Sequence, residues 1–120
     1  MSGPYIQYAA VRVNKILNDN SKGISFDSSY SYEPEKNILA KILDYPEVVR
    51  RAADDLEPHK IANYLYELAR ELNRYYENTS VATPDVASDV KVARLGVLSK
   101  VSAIFSHGLS LLGIEVPSKM

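Results

Sequence analysis

Between Asp89 and Leu112 the sequence is apolar over more than half the circumference of a helix, with Leu95, Val97, Leu98, Val101, Ile104, Phe105, Leu109 and Leu112 distributed around it. A helix of that kind must be touched by neighbours on several sides, so it is central to whatever fold contains it. Ser88 or Asp89 is placed to cap its start, and Gly113 followed by Pro117 marks its end. The rest of the chain supplies the neighbours.

Residues 58–77 form the clearest amphipathic helix. Ile61, Leu65, Leu68, Leu72, Tyr75 and Tyr76 make its stripe, and Asn63, Glu67, Arg70 and Arg74 face away. Glu67 with Arg70 and Glu71 with Arg74 are spaced as i,i+3 ion pairs. Near the N-terminus, Pro4 suits a first helical turn, and Ile6, Ala9, Ala10, Val13 and Leu17 share one side until Asn18 to Gly23 end the helix. Residues 24–32 are Ser-rich and read as a loop, as do residues 78–88 with Pro84. A short helix is expected from Glu35 to Asp44, with Pro46 restarting another and Pro58 a third. No segment alternates as a strand does. The expectation is one all-α domain over residues 1–120, a bundle of about five helices.

The chain has 120 residues, enough for a single core and not for two. It contains no cysteine, which removes disulfides and thiolate chemistry and fits a reducing compartment. It has neither a run of ~20 apolar residues nor a signal-peptide pattern, so a soluble, cytoplasmic protein without membrane association is expected. Net charge is −1, which argues against electrostatic binding of DNA or other polyanions. Residues 1–23 nevertheless carry Arg12, Lys15 and Lys22 against Asp19.

Catalytic patterns are missing. His59 and His107 lie on different helices, no HExxH spacing occurs, and the glycines form no phosphate loop. Asp54 and Asp55 adjoin Arg50 and Arg51 and read as a solvated helix end. Arg94 points into the apolar arc of the last helix and must be paired, with Asp44, Glu47 and Glu57 as candidate partners. The binding features are more informative. Tyr5, Tyr8, Arg12 and Lys15 share a sector beside the apolar face of the first helix. Phenol rings in line with a guanidinium make a stacking platform of the sort that recognises single-stranded nucleic acid. The same spacing also serves tyrosines packed at a bundle edge with Arg12 in a surface ion pair.

Gly3-Pro4-Tyr5-Ile6-Gln7-Tyr8-Ala9, with Arg12 one turn on, resembles the start of the C-terminal helical domain of arginyl-tRNA synthetases. The resemblance continues in order through Tyr45-Pro46-Glu47-Val48-Val49, Glu57-Pro58-His59, Tyr64-Leu65, Ala93-Arg94-Leu95 and Leu111-Leu112-Gly113-Ile114 to Met120. It implies a DALR-type anticodon-binding module of a class I aminoacyl-tRNA synthetase. The implied partners are the anticodon loop of arginine tRNA and the catalytic domain of the same polypeptide. The implied anticodon contacts are Tyr5, Tyr8, Arg12, Tyr76 and Met120, with Tyr75 competing for the place of Tyr76. The family often has His and Ser where this chain has Ala10 and Asn14. The HIGH and KMSKS signatures are absent, so the chain reads as an excised domain, Met1 being an added start residue. No cofactor is expected in it and no catalysis by it alone, ATP and Mg belonging to the catalytic domain of the parent arginine-tRNA ligase. Every arginine anticodon has C in the middle. Arg12 would donate to the acceptors of that base, Tyr8 would stack, and a backbone carbonyl or the Met120 carboxylate would accept from N4. The competing reading is a helical protein–protein interaction or oligomerisation module without nucleic acid.

Overall fold

The computed structural model describes residues 3–20, 30–79 and 87–117. Four helices make up this part: α1 (Gly3–Asp19), α2 (Lys36–Asp54), α3 (His59–Asn78) and α4 (Ser88–Leu111). α4 touches all three others, as its apolar circumference requires, and Leu95, Val97, Leu98, Val101, Phe105 and Leu109 are fully buried. α1 and α2 each pack on α3 and α4 without touching one another, so they flank that central pair from opposite sides. At Gly108 a β-carbon would lie 2.9 Å from both methyls of Leu65, so the missing side chain lets α4 close on α3.

The fold is all-α, but the expected break before Pro46 does not occur. α2 continues through that proline, which is exposed. An interior proline removes one backbone hydrogen bond and costs about 3 kcal/mol. The helix tolerates it because packing fixes both halves. Ile38, Tyr45 and Ala52, seven residues apart, are buried on one face. Tyr45 packs against Tyr64 with tilted rings whose centroids are 5.3 Å apart, and its hydroxyl lies 2.6 Å from His107 Nδ1. The two helices expected between Glu35 and Pro58 are therefore one.

α4 begins at Ser88 with Ala87 as the N-cap, and the Asp89 carboxylate accepts from Val90 N at 3.0 Å within the first turn. Asp89 stays in the first turn, where its charge suits the helix dipole. At the other end Gly113, at φ 75°, donates to Ser110 O, and Ile114 donates to Leu109 O at 2.8 Å. This Schellman turn sends Ile114 and Val116 back onto the core. Gln7 Nε2 then donates to Glu115 O at 3.0 Å, tying the tail to α1.

α2 ends in the same kind of turn with a leucine where glycine is favoured. Leu56, at φ 53° and 86% exposed, donates to Ala53 O, and Glu57 donates to Ala52 O. A β-carbon in this conformation costs about 1–2 kcal/mol, and glycine would relieve it while gaining freedom in the unfolded chain. Leu56→Gly is expected to stabilise the domain by about 0.5–1 kcal/mol, read as a higher urea midpoint at unchanged slope. A lower midpoint would show that the leucine contributes packing that outweighs its strain.

The charged end of α2 is solvated. Glu47 is forked by Arg50 and also bound by Arg51, and hydrogen bonding to Arg50 holds its carboxyl at about 2. Asp54 pairs with Arg50 and Asp55 with Lys60. Arg94 pairs with a different acid from those expected. Its Nε lies 3.2 Å from Oε2 of Glu35, a carboxylate with no solvent exposure. Glu35 also accepts from Tyr30 OH at 2.8 Å and from Tyr75 OH at 2.5 Å. Asp44 is exposed, Glu47 is engaged by Arg50 and Arg51, and Glu57 lies beside Lys60 and His59. The buried acid just ahead of α2 is the one that reaches Arg94.

Candidate nucleic-acid interface

The apolar stripe of α1 is seated in the core through Ile6, Ala9, Ala10 and Val13, which turns the adjoining sector toward the edge of α3. Tyr5 and Arg12 from α1 meet Tyr66, Asn73 and Tyr76 from α3 along that seam. Tyr5 is half-buried against Tyr66, with ring centroids 5.2 Å apart, and its hydroxyl accepts from Asn73 Nδ2 at 2.7 Å. Both functions of Tyr5 are thus engaged within the protein. Tyr8, one turn on, is 56% exposed and presents its ring to solvent.

Arg12 lies with its guanidinium carbon 4.1 Å from the centre of the Tyr76 ring, a cation–π seat. Tyr76 is half-buried, and among the described residues its buried hydroxyl has no hydrogen-bond partner. Burial pushes its phenol up, and the Arg12 charge opposes that shift. Its tip therefore stays protonated and turned inward while its face carries Arg12. Tyr75 points the other way into the core and donates to Glu35, and burial pushes its phenol up as well. Of the two adjacent tyrosines, Tyr76 is the one at the seam.

The structure brings Tyr5, Tyr8, Arg12 and Tyr76 together at one edge. Met120 lies outside the described residues. Lys15, on the same sector of α1, is paired with Asp19 at 3.4 Å. Ala10 is buried, and Asn14 accepts from Ser102, tying α1 to α4, so both positions face the bundle. His59 is exposed beside Glu57, and among the described residues no cluster of His, Cys, Asp or Glu could hold a metal ion. No described helix is long and apolar enough to cross a membrane.

Sequence reasoning missed the contribution of α3. Tyr66 and Asn73 are seven residues apart on the side of the helix that meets α1, a spacing that could have marked them as the support of Tyr5. Arg70 was expected to pair with Glu67, but Lys41 of α2 reaches Glu67 at 2.6 Å. Arg70 instead lies 5.9 Å over the Tyr66 ring. Its neighbour Glu71 pairs with Arg74 as expected, at 2.9 Å. Four of the six arginines hold carboxylates, whereas Arg12 and Arg70 hold tyrosine rings and are exposed. This edge can offer a free aromatic face and two guanidinium groups, which suits bases and phosphates.

Residues 6–120 match the family model described as the DALR anticodon binding domain. The chain is 39% identical over 121 residues to an arginine–tRNA ligase of Nitrosospira multiformis, covering 97% of this chain and 20% of that protein. It is 34% identical to an arginine–tRNA ligase of Methanocaldococcus jannaschii, covering 98% of this chain and 21% of that one. Among solved structures, arginyl-tRNA synthetase of Thermus thermophilus superposes with a TM-score of 0.90 at 31% identity, over 98% of this chain and 21% of that chain. The chain thus spans about a fifth of the length of the relatives it matches. With nearly its whole length matched in sequence and in fold, the chain belongs to the DALR anticodon-binding domain family.

Proposed function

We propose that this domain reads the anticodon loop of arginine tRNA as the anticodon-binding part of an arginine–tRNA ligase, aminoacylation being the task of a catalytic domain in the same polypeptide. The observation that carries the reading is the pairing of an exposed Tyr8 ring with an Arg12 guanidinium seated on Tyr76 and bound to no carboxylate among the described residues. Tyr8 offers a face for a splayed base. Arg12 is held in place by the ring beneath it, so its N–H groups remain available for the O2 and N3 acceptors of a cytosine. Tyr5 acts by position, since it fixes the seam between α1 and α3 from within. The tie between Gln7 and Glu115 holds the end of the described chain on α1.

Stacking and one read base edge give on the order of 3–9 kcal/mol gross, so the domain alone is expected to bind in the micromolar range or weaker. The near-neutral net charge fits, because specificity here rests on a small edge and not on a field. The test is a low-salt fluorescence titration with an arginine anticodon stem-loop and with one carrying U in place of the middle C. Exchanging C for U replaces the N3 acceptor by a donor, so about a tenfold preference or more for C is expected. Equal affinity for the two loops would remove base reading from this domain.

A further inference from the structure

We infer that Arg70, held on Tyr66, is a second RNA contact of the same edge and takes the phosphate of a nucleotide beside the anticodon triplet. The inference rests on the reading of Tyr8 and Arg12 as the base-contacting pair and extends it to α3. Arg70 is exposed and lies over the Tyr66 ring at 5.9 Å, and Tyr66 packs against Tyr5 with tilted rings 5.2 Å apart. Arg70, Tyr66 and Tyr5 thus join Asn73 and the Arg12–Tyr76 seat in one continuous seam. The acids that flank Arg70 on its own helix are taken, Glu67 by Lys41 and Glu71 by Arg74. A guanidinium kept from its local carboxylates and oriented by a ring is prepared for an anion from outside, and its fork matches a phosphate.

The geometry limits which phosphate. Arg70 and the ring that seats Arg12 are six residues apart on α3, an axial rise of about 9 Å. Neighbouring nucleotides of one strand span such a distance. A phosphate carries no sequence information, so Arg70 contributes affinity without a preference between bases.

The test is the same stem-loop titration carried out over a range of salt concentrations with Arg70→Gln, Arg70→Lys and Arg12→Ala. Arg70→Gln is expected to weaken both loops by about three- to tenfold, to leave the preference for the middle C unchanged, and to reduce the salt slope by ~0.7. Arg70→Lys is expected to keep most of that slope, because the charge remains. Circular dichroism of the exposed-site variants checks that each is folded. Binding that Arg12→Ala weakens while Arg70→Gln leaves affinity and slope intact would overturn the Arg70 contact and leave the anticodon reading standing. Indifference to both arginines, or no binding of either loop, would overturn the two together.

Discussion

Glu35→Ala is expected to cost about 3–5 kcal/mol of folding stability, because Glu35 is the buried charged residue among the described ones. Glu35 is fully buried and is the acceptor shared by Tyr30, Tyr75 and Arg94. Removing it leaves a guanidinium that is only 15% exposed without its carboxylate, and two phenols without their acceptor. The cost comes from those stranded partners more than from the lost attraction. Set against a total of about 5–15 kcal/mol for a domain of this size, the loss should lower the thermal midpoint by roughly 10–20 °C. Glu35→Gln keeps the shape and an acceptor but not the charge, and should cost about half as much. Introducing Arg94→Leu into the Glu35→Ala protein should recover part of the loss, because it removes the charge that Glu35 neutralised. Denaturant unfolding of the three proteins decides the matter. A loss below about 1 kcal/mol for Glu35→Ala would mean that water takes over the role of the carboxylate.

This network bears on the interface through α3. Tyr75 is anchored to Glu35 from one side of the helix, and the next residue, Tyr76, carries Arg12 on the other. The last turns of α3 are therefore held by a buried acid at the same level at which they seat the guanidinium. Loss of Glu35 is expected to reach the interface by loosening that seat.

Much of this arrangement can be read from the chain because it rests on single helices. The apolar circumference of α4 announces a central helix, and each buried residue of α1 lies on the stripe that its periodicity defines. Tyr8 and Arg12 stand out for the same reason, being neighbours on one helix. What local rules miss is competition between elements. Pro46 reads as a helix start until Ile38, Tyr45 and Ala52 are seen to bury one face through it. Glu67 reads as a partner of Arg70 until Lys41, distant in sequence, takes it. The need to pair Arg94 is evident from its place in an apolar arc, but its partner lies 59 positions away, before another helix. Tyr5 and Asn73 are 68 residues apart, so the seam that supports the candidate site exists only once α1 and α3 have packed.

Tyr8→Ala is expected to weaken binding of the arginine anticodon stem-loop by about 5- to 150-fold, the equivalent of one stacked base at ~1–3 kcal/mol. Its effect on stability should stay within about 0.5 kcal/mol, because the ring is 56% exposed. Stacking tolerates any base, so the loss should be the same for loops with C or U in the middle. Arg12→Ala should be comparable in size, at about 1.5–3 kcal/mol for hydrogen bonds from a charged donor, and should fall mainly on the loop with C. Its structural cost is the cation–π contact with Tyr76, about 0.5–1 kcal/mol at an exposed site. Arg12→Lys separates charge from geometry. It keeps the cation and hence the salt slope, but loses the planar fork, so the preference for C should shrink while binding of the U loop is retained. The contrast between the two residues is what tests the reading: one supplies affinity for any base, the other a choice between bases. A helical interaction module would behave differently, with Tyr8→Ala changing the oligomeric state in analytical ultracentrifugation and leaving the RNA titration where it was. That outcome would assign the exposed ring to a protein partner and leave Arg12 as an exposed cation resting on Tyr76.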